Sequence, residues 1–164
     1  MKRKSAKTNA VRLLEKHGIE CELREYAVDE HDLSAAYVAQ AIGLPPARVF
    51  KTLVVMGSST GVFLACVPTD AELDLKKIAR VSGNKKVEMA PVKEIPALTG
   101  YIRGGVSPVG TKKHYPVFMD ESALTWPVIS LSAGVRGCQM LVNPADLAKV
   151  VDVTHCSITK EKGV

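Results

Sequence analysis

Apolar positions recur along this chain at two different periods, and the changes of period divide it into elements. Residues 5–17 carry Val11 and Leu14 among apolar neighbours at helical spacing, and Gly18 stands where a left-handed glycine ends a helix. A strand follows, in which Ile19, Cys21 and Leu23 alternate with polar Glu20, Glu22 and Arg24. Residues 29–32 read as a polar loop. Ser34 then caps a short helix through Ala41, which Gly43 and Pro45-Pro46 end. Residues 49–56 and 62–67 are β-rich runs joined by Gly57-Ser58-Ser59-Thr60-Gly61, a strong hairpin signal.

Residues 73–81 form a helical pattern with Leu75, Ile78 and Ala79 inward and Gly83 near its end, and residues 85–89 resemble a short strand. A short helix over 92–98 precedes a strand at Tyr101-Ile102. Residues 104–110 read Gly-Gly-Val-Ser-Pro-Val-Gly, a shaped loop dense in turn formers. Strands at 116–119, 128–131 and 138–142 come next, with Ser132-Ala133-Gly134 as a small-residue turn. Asn143-Pro144 starts a helix through Lys149, and a strand is expected near 151–153. Strands that come both as hairpins and separated by helices predict a mixed α/β fold: a mixed β-sheet curled toward a barrel, with helices packed around it. No linker or internal repeat divides the chain, so residues 1–164 are expected to be a single domain.

Composition agrees with a folded chain: of 164 residues 46% are hydrophobic and 24% charged, which supplies both a core and a solvated surface and argues against disorder. No run of about 18 apolar residues occurs, and residues 1–7 are basic without the apolar stretch of a signal peptide. A cytoplasmic protein without a membrane partner is expected. Cys21, Cys66, Cys138 and Cys156 are scattered, the pattern of reduced thiols and not of a disulfide framework. The net charge of +5 is partly clustered, in Lys2-Arg3-Lys4, Lys76-Lys77 with Arg80, Lys85-Lys86 and Lys112-Lys113. On one face these groups would hold phosphates; spread over several faces they would only be solvated.

Lys51 is the residue that most invites chemistry, because Phe50 and Thr52-Leu53-Val54-Val55 surround it with strand formers. Strand alternation puts it on the face opposite Phe50 and Thr52. There an ammonium facing a cavity can bind a phosphate or carboxylate or orient a carbonyl, whereas on a solvated face it would have no such role. The 104–110 loop can bring backbone N–H groups close to a phosphate or a developing oxyanion, or be a plain structural turn. It lacks the G-x-x-x-x-G-K-[ST] pattern of a nucleotide-binding loop. His17, His31, His114 and His155 show no metal-ligand spacing, and no G-x-S-x-G elbow is present. No metal and no cofactor are therefore expected.

At Phe50-Lys51-Thr52-Leu53, at Gly100-Tyr101 with the 104–110 loop, and at Ser132-Ala133-Gly134-Val135-Arg136-Gly137, the chain resembles the YbaK/EbsC family of bacterial aminoacyl-tRNA deacylases. The likeness extends to Lys85-Lys86-Val87-Glu88-Met89-Ala90 and to residues 144–150, so it covers nearly the whole length. Within that family it looks most like the freestanding Cys-tRNA(Pro) deacylases, relatives of the editing domain inserted in many bacterial prolyl-tRNA synthetases. The resemblance implies a trans-editing hydrolase that removes cysteine from tRNA(Pro), an error that arises because cysteine and proline are similar in size. It also implies that Lys51 positions the aminoacyl-tRNA end, and that the substrate's own thiol attacks its ester carbonyl. Tyr26, Thr52, Gly104, Gly105, Ser132 and Gly134 are the substrate-binding positions it implies, with Leu33 or Tyr37 as an apolar or aromatic wall. The partners it implies are the acceptor end of mischarged tRNA and prolyl-tRNA synthetase, for a chain expected to be a monomer. Two other readings stand beside it: a deacylase for alanine or serine on tRNA, and a non-catalytic tRNA- or partner-binding module.

Overall fold

The computed structural model describes residues 7–161. Helix α1 (Asn9–Lys16) opens after Thr8, whose hydroxyl accepts the Val11 N–H at 3.2 Å, and buries Ala10, Val11 and Leu14. That cap sets the helix start at Asn9; the expected start at Ser5 and the Lys2-Arg3-Lys4 cluster lie outside the described residues. Strand β1 (Glu22–Glu25) leads to α2 (Ala35–Ile42), which Ser34 caps through the Tyr37 N–H at 3.2 Å and Gly43 closes at φ 72°. Strands β2 (Phe50–Gly57) and β3 (Gly61–Pro68) form the expected hairpin, paired antiparallel along their full length.

Helix α3 (Leu75–Ser82) begins at Asp74, which accepts the Lys76 and Lys77 N–H groups at 2.9 and 3.1 Å. Its far end is tied to the hairpin by buried Asn84, whose Oδ1 accepts from Ser59 and Thr60 N–H at 2.8 and 3.0 Å. Strand β4 (Val87–Met89) and α4 (Ile95–Thr99) follow, then β5 (Val117–Asp120), β6 (Ile129–Val135) and β7 (Cys138–Val142). The short α5 (Pro144–Leu147) and β8 (Val153–Cys156) complete the order.

The fold is mixed α/β, and its strands divide into two sheets; no closed barrel forms among the described residues. One sheet is antiparallel in the order β1-β7-β6, and the other runs β4-β2-β3-β5-β8 with parallel pairing of β5 to β3 and β8. The sheets meet at a bridge between Val49 and Ser130. The main core fills the space around this junction with Phe50, Val54, Leu64, Met119, Leu131 and Met140, all buried. A second core lies on the other face of the larger sheet, where Ile78 of α3 packs with Val55, Phe63 and Ala65. Because β2 contributes to both, it is apolar on both faces except at Lys51 and Thr52.

Three expectations are corrected. Tyr101-Ile102 is a bend and not a strand: Tyr101 is buried and its hydroxyl is engaged by the carbonyls of Val109 and Gly110, at 2.7 and 3.0 Å. Ser132-Ala133-Gly134 is not a turn but the end of β6, where a bulge interrupts the register with β7; the chain reverses later, at Arg136-Gly137. The last strand begins two residues beyond the expected start, at Val153, because its pairing with β5 starts at Val117↔Val153.

Candidate functional site

A cavity of about 480 Å³ opens in the fork beyond the Val49–Ser130 bridge, where β2 and β6 go on to pair with different neighbours. Lys51 and Thr52 of β2 both line it although alternation puts them on opposite faces of the strand, and Ser132 of β6 and Gln139 of β7 line it too. The N-terminal end of α2 supplies Leu33, Ser34 and Val38. The rim is completed by Met89 and Val92 near β4, and by Arg103 and Gly104. Strand β4 covers β2 only from Val55 to Gly57, with Ala90 N–H reaching Val54 O at 3.0 Å, so the earlier part of β2 borders the cavity.

The site is cationic. Lys51 and Arg103 line it, no aspartate, glutamate or histidine does among the described residues, and Lys51 makes no ion pair there. Its neutral polar groups are held from behind. Thr52 sits opposite Cys66 in the β2–β3 register, with hydroxyl and thiol 3.5 Å apart. Complete burial pushes the Cys66 thiol up to about 12, so it stays an S–H group that can share a proton with Thr52. Gln139 is buried, and its Oε1 accepts the fully buried Ser130 hydroxyl at 2.9 Å.

The 104–110 loop is for the most part a plug in the core. Val106, Ser107 and Val109 are buried, the Gly105 N–H is spent on Ile102 O at 2.9 Å, and the Val109 N–H goes to Ser107 Oγ at 3.2 Å. Gly104 alone of its glycines lines the cavity, in a left-handed conformation at φ 86°. A Cβ on Gly134 would stand 2.8 Å from the Tyr101 ring, which is why the bulge needs glycine there; it lets Tyr101 reach the loop it anchors.

The structure thus brings Lys51, Thr52, Gly104 and Ser132 together. Tyr26, Gly105 and Gly134 are not among the lining residues: Tyr26 packs edge-on against Tyr37 at 6.3 Å, a Cβ on Gly105 would meet Val135 at 3.0 Å, and Gly134 backs Tyr101. Of the two alternative wall residues, Leu33 lines the cavity, while the Tyr37 hydroxyl donates to Ala27 O at 2.6 Å. Sequence reasoning missed Gln139 and Arg103. Gln139 is a lone polar residue in an apolar strand, the same signal that marked Lys51; Arg103 follows a misread strand and carried none.

Residues 29–150 match the family described as the aminoacyl-tRNA editing domain. The chain belongs to that family. Over 161 residues, 98% of either chain, it is 44% identical to the proposed Cys-tRNA(Pro)/Cys-tRNA(Cys) deacylase EbsC of Enterococcus faecalis. A 76-residue stretch is 34% identical to part of a proline–tRNA ligase from Thermosipho africanus, covering 46% of this chain and 13% of the ligase. Among solved structures, a proposed trans-editing enzyme for prolyl tRNA synthetase superimposes with a TM-score of 0.82 at 27% identity, covering 96% of this chain and all of that one. The cavity of this editing-domain chain is built from residues 33 to 139, which fall inside the matched segment.

Proposed function

We propose that residues 1–164 act as one aminoacyl-tRNA deacylase domain that clears cysteine from tRNA(Pro) in the cytoplasm, as a monomer working beside prolyl-tRNA synthetase. The observation that carries this reading is the chemistry of the cavity: among the described residues its lining offers cations and hydrogen-bond donors but no histidine, carboxylate or cysteine to act as base or nucleophile. Of its hydroxyls, Thr52 pairs with the Cys66 thiol, Ser132 accepts the Gly134 N–H and Thr69 donates to Pro46 O, while Ser34 lies beside the exposed Asp32 carboxylate. The family match and the EbsC relative supply the substrate class.

A substrate that brings its own nucleophile needs no base–nucleophile pair from the protein. The cysteine thiol attacks the ester carbonyl carbon, the S–C bond forms, and the C–O bond to the terminal ribose breaks. The ribose oxygen takes up the proton the thiol gives up, and the resulting thiolactone is opened by water. Intramolecular attack carries a high effective molarity, so the site need only hold the ester and stabilise charge on its oxygen. Lys51 positions the acyl-ribose end through its ammonium, Thr52 and Gly104 donate toward the carbonyl oxygen, and Ser132 and Leu33 bound the acyl group. The basic side chains of Lys76, Lys77, Arg80, Lys85 and Lys86 hold acceptor-stem phosphates without reading bases.

The test is amino-acid release from Cys-, Ala-, Ser- and Pro-tRNA(Pro) by the wild type and by Lys51→Ala. Release of cysteine alone, lowered about 100-fold or more by the substitution, is the expected result. Release of alanine or serine at a comparable rate would move the reading to another mischarged tRNA, and binding without turnover would make the chain a tRNA-binding module.

A further inference from the structure

Among the described residues lining the cavity, two carry positive charge and none carries negative charge. The acidic side chains next to lining residues in the chain, Asp32, Asp70, Glu88 and Glu94, do not line it, and Asp32 is engaged with the Ser34 N–H at 3.0 Å and with the Ser34 side chain. A free aminoacyl ester presents an α-amino group, which is an ammonium in part at neutral pH. Taking an ammonium out of water without an anionic partner is unfavourable, and two nearby cations make it more so. What the cavity does offer such a group is neutral: the hydroxyls of Ser34, Thr69 and Ser132 and the Gln139 carboxamide. Among the described residues, no anionic side chain lines the site to anchor an ammonium.

From this charge pattern we infer that the cavity accepts N-acylated cysteinyl esters on tRNA as substrates alongside the free-amine form. The inference rests on the deacylase reading above and extends its substrate class. An acylated nitrogen is uncharged, so it removes the unfavourable approach to Lys51 and Arg103, and its N–H still donates to the neutral acceptors present. The bond changes leave the nitrogen untouched: sulfur bonds to the carbonyl carbon, the ester C–O bond breaks, and the ribose oxygen takes the thiol proton. Water then opens the thiolactone to N-acylcysteine. A volume of about 480 Å³ leaves room beyond a cysteinyl group for a two-carbon cap.

The experiment compares wild-type turnover of Cys-tRNA(Pro) and N-acetyl-Cys-tRNA(Pro) at pH 7 and equal concentration. The expected result is a kcat/KM for the acetylated substrate within about threefold of the free-amine substrate, or above it. A fall of about 100-fold or more on acetylation, with Cys-tRNA(Pro) still turned over, would overturn the inference and show that the free amino group is recognised. Failure to hydrolyse either substrate would instead remove the deacylase reading, and the inference with it.

Discussion

At the residue scale, the chemistry turns on small polar groups fixed against an apolar background. Thr52 owes its orientation to Cys66 across the hairpin, so Thr52→Val is expected to lower kcat for cysteine release by about 10- to 100-fold with little change in KM, as steady-state kinetics would show. Cys66 also leaves a signature in stability. Its thiol, ordinarily near 9.0, is held up to about 12 in the folded chain, so below pH 9 both states keep the proton and it contributes no pH dependence. Above pH 9 the unfolded chain ionises first, and stability is lost as pH rises toward 12, by about 1.4 kcal/mol per pH unit. Denaturant midpoints between pH 9 and 10 should fall in the wild type and fall less in Cys66→Ala. Lys51 was legible in the sequence because a charge interrupts a β-rich run; Gln139 interrupts another in the same way and was overlooked. Arg103 reaches the cavity only through the bend after buried Tyr101, which no local pattern reveals.

At the element scale, α2, the start and end of α3 and the hairpin follow from caps and periodicity and were readable, whereas β1 starts at Glu22 instead of Ile19 and leaves Leu23 exposed, and Leu75 of α3 faces out instead of in. The bulge at Ala133-Gly134 was not, because small residues that signal a turn also serve where another ring must approach: Gly134 makes room for Tyr101, and only the fold shows the ring. Tyr101 in turn locks the 104–110 loop by its hydroxyl. Tyr101→Phe is expected to keep the fold, cost about 1 kcal/mol in chemical denaturation and lower kcat/KM by loosening Gly104 at the cavity rim. Asn84 plays the matching part for the larger sheet, since its carboxamide joins the β2–β3 turn to the end of α3. Asn84→Ala leaves the Ser59 and Thr60 N–H groups without that partner, and a loss of about 1–3 kcal/mol should appear in its unfolding curve.

Across the whole molecule, two sheets joined at one bridge leave a fork, and the fork is the cavity. The mixed α/β class was visible from the order of hairpins and helices, but the split into two sheets was not, because a bridge from Val49 to Ser130 leaves no local pattern. Whether the basic clusters share a face was equally open. If Lys85 and Lys86 grip phosphate, the double substitution to Ala should weaken tRNA binding alike for every sequence. It should also flatten the dependence of log K on log salt by about 0.7–0.9 for each phosphate no longer neutralised, read from binding titrations at several salt concentrations.

Everything proposed for the cavity depends on the substrate's thiol, and not a protein side chain, attacking the ester. Single-turnover deacylation of tRNA(Pro) carrying S-methylcysteine, set beside the same tRNA carrying cysteine, separates the two. Thiol attack requires rapid release of cysteine and release of S-methylcysteine no faster than without protein, although the methylated substrate still competes for the site. Equal release of both would contradict it and place the nucleophile in the protein or in a water that the site activates.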